Sequence, residues 1–98
     1  MNVGFVEYKI DPERREAYLK TMKRLLADCG GNVTLYEGAD QPNLFVETWS
    51  LTCPEDFERI KRDRLTAGSE WERMTDFIVG GKDKIHIWEF IHVLDAKC

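Results

Sequence analysis

A chain of 98 residues, 43% hydrophobic and 33% charged, has room for one modest core and carries no low-complexity polar run of the kind that stays disordered, so residues 1–98 read as a single domain. Its formal net charge of -4 excludes a surface that is basic throughout, and the one basic cluster, ERIKRDR at 58–64, mixes acids and bases at helical spacing as a solvated helix face does. No nucleic-acid partner is expected.

The N-terminal run MNVGFVEYKI is too short to span a membrane and lacks a basic start and a small-residue cleavage site. The expectation is a cytoplasmic protein with no membrane partner. Cys29, Cys53 and Cys98 are an odd number of scattered thiols without a C-x-x-C, which predicts reduced cysteines, Cys98 being the most reactive by exposure. Asn2 to Ile10 reads as a strand with Val3, Phe5 and Glu7 on one side and Val6, Tyr8 and Ile10 on the other. Asp11-Pro12 supplies a cap and a first helical position. Tyr18, Met22, Leu25, Leu26 and Cys29 then recur at intervals of three and four, and Gly30-Gly31 ends that helix.

Two further runs, 32–38 and 43–51, flank the turn residues ADQP and predict a hairpin. On the second, Phe45, Glu47, Trp49 and Leu51 share one side, and Leu44, Val46 and Thr48 the other. Thr52-Cys53-Pro54-Glu55 has capping-box spacing ahead of Phe57, Ile60, Lys61, Arg64 and Leu65 at helical intervals. Trp71, Met74, Thr75 and Ile78 predict a short third helix closed by Gly80-Gly81. The last strand, DKIHIWEFIHV, sets His86, Trp88, Phe90 and His92 against Ile85, Ile87, Glu89, Ile91 and Val93.

The order strand, helix, strand, strand, broken helix, strand predicts an α+β ferredoxin-like split βαβ domain: a four-stranded antiparallel sheet with its helices on one face. Both sides of the predicted strands are apolar. Helices cover one side, and a monomer exposing the other would carry a larger apolar patch than monomers usually do. A homodimer through the open sheet face is therefore expected.

The segment FVETWSLTCPEDFERI, a strand ending in Glu47-x-Trp49 followed by a capped helix, resembles the dimeric α+β barrel superfamily, in particular its antibiotic-biosynthesis-monooxygenase-like branch. The resemblance in element order covers Asn2 to Val93. It implies oxidation of quinol-like or polycyclic aromatic molecules by oxygen, without metal or flavin cofactor, in a cavity between helices and sheet, with Trp49 at the tryptophan position of the pattern. Related members bind and degrade haem. The His-Leu-x-x-x-His helix segment common in the branch is replaced here by Ile60-Lys61-Arg62-Asp63-Arg64-Leu65. A second resemblance, to the sugar mutarotases of the same superfamily, rests on Tyr18 in EAYLKTM and on SEWERMTDF, with Met22 where those proteins have a histidine.

Aromatic walls with a few polar groups suit a small-molecule cavity, and an imidazole can move a proton near neutral pH. The candidate binding residues are Trp49, Trp88, Trp71, Tyr8, Glu47 and Glu7; the candidate catalytic residues are His86, to remove a proton, and Arg64, to stabilise an oxyanion. Each also has an ordinary structural role open to it: the tryptophans as core, the histidines as packing groups, and each strand glutamate in an ion pair with Arg64, Lys9 or a histidine. His86 and His92 stand ~20 Å apart along an extended strand and cannot chelate together, so no metal is expected. The alternative function is a non-catalytic ligand-binding or regulatory dimer.

Overall fold

Strand β1 (Asn2–Lys9) is paired along both edges and so lies inside the sheet, and its alternating buried and open positions give it one covered and one open face. The computed structural model describes residues 2–29 and 31–97; Gly30 of the predicted helix stop and the predicted reactive Cys98 lie outside them. A 3₁₀ turn (Pro12–Arg14) leads into α1 (Arg15–Ala27), with the Asp11 carboxylate accepting from Glu13 N–H at 3.0 Å. Strands β2 (Val33–Glu37) and β3 (Leu44–Leu51) form the hairpin. Helix α2 (Glu55–Leu65), the single turn α3 (Glu70–Arg73), two 3₁₀ turns (Met74–Phe77 and Gly81–Lys84) and β4 (His86–Ile91) complete the chain.

All strand pairs are antiparallel and the sheet order is β2-β3-β1-β4, the ferredoxin-like arrangement. The register sets Tyr8 opposite Phe45 and Val6 opposite Glu47, so the inward residues of the two central strands form one continuous surface. Val6, Tyr8, Ile10, Phe45, Glu47, Trp49 and Leu51 are all buried there, against Tyr18, Met22 and Leu25 of α1 and Ile60 and Arg64 of α2. Burying each large apolar side chain contributes about 1.5–3 kcal/mol. Tyr18 and Phe45, with ring centroids 4.8 Å apart, tie α1 to β3.

Two local readings are corrected. The capping box expected at Thr52 and Glu55 does not form. Instead Asp56, one residue further into α2, takes the Thr52 N–H at 2.9 Å, the Thr52 hydroxyl at 3.1 Å and the Cys53 N–H at 3.1 Å. A reciprocal cap related to that motif stands at Ser69 and Glu72: the Ser69 hydroxyl accepts from Glu72 N–H at 2.9 Å, and the Glu72 carboxylate accepts from Gly68 N–H, one residue before the cap, at 3.1 Å. The third helix is a single α turn because the chain tightens to 3₁₀ at Met74, which still buries Met74, Thr75 and Ile78 as the periodicity requires. No helix among the described residues is long and apolar enough to cross a membrane.

Candidate functional site

Glu47 is a carboxylate with no solvent exposure, in the middle of the central strand pair. A buried charge needs compensation on every side, and Glu47 has it. The Arg64 guanidinium donates to Oε1 from α2, Trp49 Nε1 donates to the same oxygen at 2.9 Å, and the Tyr8 hydroxyl donates to Oε2 at 2.5 Å. Tyr8 in turn meets the Tyr18 hydroxyl at 2.7 Å. Burial, then the Glu47 carboxylate, pushes the Tyr8 hydroxyl well above the ordinary tyrosine range, and burial likewise raises Tyr18. Desolvation works against the charged Arg64, but the Glu47 carboxylate outweighs it and holds the guanidinium above the usual arginine range. The cluster is an Arg64–Glu47 ion pair capped by the Tyr8 phenol, with the Tyr18 phenol behind it.

This cluster backs a cavity of about 180 Å³ lined by Trp49, Trp71, Ile60, Asp63, Arg64, Asn32, Arg59 and Cys29. Ile60, Asp63 and Arg64 enter from one face of α2, because residues three and four apart lie together on a helix. The indole rings of Trp49 and Trp71 meet edge to face at 5.4 Å, and the Arg64 guanidinium lies 4.3 Å from the Trp71 ring centre. Since Glu47 holds both Arg64 and the Trp49 N–H, it fixes two walls of the cavity without entering it. The Cys29 thiol, raised by burial and then by Glu47, donates to the Leu25 carbonyl at 3.2 Å and stays protonated. A cavity on the order of 150 Å³ holds a benzene ring, so this one has the size for a single aromatic ring.

The structure brings Trp49, Trp71, Glu47, Arg64 and Tyr8 together on the helix side of the sheet. It places the other candidates elsewhere. Glu7 pairs with His86, and Phe5 with Trp88, on the opposite, open face. There His86 stacks on Trp88 at 5.5 Å, and Phe5 packs against Trp88 and Phe90 at 5.8 and 5.4 Å. His86 therefore does not reach this cavity. His92 lies beyond the end of β4, with Nε2 2.9 Å from Asp95. Asn32, Asp63, Arg59 and Cys29 line the cavity without having been named as site candidates, Cys29 having been read only as a reduced thiol on the stripe of α1; for Asp63 the signal was its place one turn from Ile60 on α2. Asn32 had none, because its position depends on the β2–β3 register. Among the described residues no group of three or more His, Cys, Asp and Glu side chains converges to hold a metal ion.

Comparison with solved structures matches the fold along nearly the whole chain. A Deinococcus radiodurans protein, provisionally named an antibiotic biosynthesis monooxygenase, superposes with a TM-score of 0.69 at 8% identity, covering 100% of this chain and 98% of its own. The fold is that of the antibiotic-biosynthesis-monooxygenase-like proteins. A crystal structure titled antibiotic biosynthesis monooxygenase gives 0.67 at 16% identity over 96% of this chain and 100% of the other. A provisionally named monooxygenase of Nitrosomonas europaea gives 0.63 at 14%, with the same coverage. No protein-family model matches the chain, and no curated protein matches it. Identities this low establish the monooxygenase-like fold and leave the chemistry to the residues of this chain.

Proposed function

We propose that this chain binds a small, single-ring aromatic molecule of phenol or quinol type between α2, α3 and the sheet, and that it works as a homodimer. The observation that carries this reading is the cavity in which Trp49 and Trp71 form an aromatic corner beside Arg64, held in place by the buried Glu47. A flat ring fits that corner by size and by edge-to-face contact, and a ring oxygen would face the polar side made by Asn32, Asp63 and the two arginines. In its enzymatic form the reading is monooxygenase-like: an electron-rich phenolate oxidised by oxygen without metal or flavin. The proton-removing role considered for His86 then passes to Asp63, the carboxylate that lines the cavity, and Arg64 faces the developing oxyanion.

Binding without turnover is the second reading. It is favoured by the engagement of Glu47 with three donors, which leaves it a positioning group rather than a base, and by the absence of histidine from the lining residues. Sugar mutarotase-like and haem-binding functions draw nothing further from this cavity: Tyr18 is buried against Tyr8, and a haem far exceeds its volume.

Tryptophan fluorescence tests the reading, in a Trp88→Phe background so that only the cavity pair reports. Titration with hydroquinone should quench saturably, and Trp71→Ala should weaken binding about tenfold or more, whereas His86→Ala on the far face should leave it unchanged. Linear, unsaturable quenching would sink the proposal. Oxygen uptake on the same samples separates turnover from binding alone.

A further inference from the structure

Arg59 is the cation of the cavity wall that is open to solvent. Its side chain is 48% exposed, whereas Arg64 on the same wall is shut away at 2% and held by Glu47. Among the described residues the Arg59 guanidinium has a single ion contact, to Asp56 at 3.1 Å, one turn back along α2.

Asp56 has partners enough without it. Its Oδ2 accepts the Thr52 N–H at 2.9 Å and both the Thr52 hydroxyl and the Cys53 N–H at 3.1 Å, and its Oδ1 accepts the Cys53 thiol at 3.1 Å. The Cys53 thiol first, and the N–H groups of Thr52 and Cys53 after it, hold the Asp56 carboxyl well below the ordinary carboxylate range. An ion pair with one partner in water adds little stability, and a rotamer-rich arginine side chain turns without disturbing its helix. The Arg59 guanidinium is therefore exchangeable, and a carboxylate brought to the same wall offers its planar fork a matching pair of oxygens.

Asp63 lies one turn further along α2, ~6 Å from Arg59 by helical rise, and the buried Ile60 on the same wall supplies an apolar floor. The wall thus presents a cation and a carboxylate one turn apart, beside the Trp49–Trp71 corner. A flat ring with an acid at one end and a hydroxyl at the other complements it, the acid meeting Arg59 and the hydroxyl donating to Asp63.

We propose that Arg59 makes the cavity selective for aromatic acids, phenols that carry a ring carboxylate, by exchanging Asp56 for the carboxylate of the ligand. This rests on the aromatic-binding reading of the same cavity and names its ligand class. The preference runs against the rest of the molecule: a net charge of -4, with Asp56 and Asp63 close by, repels an anion, so selection of the acid requires the local cation.

Isothermal calorimetry on the full chain at neutral pH tests it with para-hydroxybenzoate and para-hydroxybenzamide, which share ring, hydroxyl and shape and differ in charge. The wild type should bind the benzoate about fivefold or more tighter than the amide. Arg59→Gln should bring that ratio to about one or below while the amide still binds, which shows that the variant is folded. Arg62→Gln removes the same charge from an exposed position that does not line the cavity, and should keep the wild-type ratio. Equal affinity of the wild type for the two probes would overturn the assignment while leaving the aromatic cavity standing. So would a preference that survives Arg59→Gln, or one that Arg62→Gln abolishes equally. Failure of both probes to bind the wild type would remove both readings.

Discussion

Glu47 shows how one residue can organise a site from behind it. On a sheet face packed by helices a lone carboxylate would be prohibitively costly, and the sequence already demands a partner for it. Three candidates suit the charge, Arg64, Lys9 and a histidine, and the register selects Arg64 because Glu47 points to the helices while Lys9 is exposed and both histidines lie off that face. Tyr8 and Trp49 were legible as aromatic; that their polar ends converge on the same carboxylate was not, since it depends on pairing across β1 and β3. Removing one member should therefore expose the cost that the others conceal. Arg64→Met strands a buried carboxylate, and urea denaturation should show a loss of about 3–5 kcal/mol, whereas adding Glu47→Leu to it should recover a large part of that loss. If the double variant is as unstable as the sum of the singles, the two side chains are not a coupled pair.

At the scale of elements, the β2–β3 hairpin is fastened to α1 by an ion pair rather than by apolar packing alone. Arg15 meets Glu37 through both terminal guanidinium nitrogens, at 2.5 and 2.8 Å, and Glu37 also accepts the Asn43 N–H at 2.8 Å, holding Asn43 at a φ of 70°. The Arg15 hydrogen bond first, and the Asn43 N–H second, lower the Glu37 carboxyl from 4.5 to about 2. A carboxyl lowered in the folded state stabilises fully above its unfolded value and loses that contribution as pH falls toward the folded one. The gap in melting temperature between wild type and Glu37→Gln should thus be widest at neutral pH and close between about pH 4.5 and 2; a constant gap would mean that the ion pair does not couple to the fold. The elements themselves were largely legible, because hydrophobic period and Gly, Pro and Asp punctuation act locally. Their fine structure was not. The turn at Met74 and the cap at Asp56 are settled by competition between nearby donors and acceptors, and the cavity gathers Asn32, Asp63 and Trp71 from three separate segments whose approach only tertiary packing decides.

The whole molecule is two-sided. Its helix side holds the cavity, while its open sheet side presents Val3, Phe5, Val46, Trp88 and Phe90, with Trp88 44% and Phe90 50% exposed, around the cross-strand pair Glu7 and His86. Of the apolar residues expected to be buried on both faces of β4, Ile85 and Ile87 on the inner side pack on the core, whereas Ile91 and Val93 of that same side are 72% and 79% exposed. A stacked aromatic row of this kind, Phe5 with Trp88 and Phe90, is a poor surface for water and a good one for a second copy about a twofold axis, where each row can meet its equivalent. Homodimerisation through this face predicts a wild-type mass of two chains by sedimentation equilibrium at micromolar concentration. A charge on the row, as in Phe90→Lys, should halve that mass, since a lysine pair facing its copy across the axis would be both desolvated and repelled. Because the row and the cavity lie on opposite sides of the sheet, the same variant should still bind hydroquinone at the Trp49–Trp71 corner. A wild type that sediments as one chain would refute the association, and a Phe90→Lys monomer that no longer binds would mean that the two sides of the sheet are not independent.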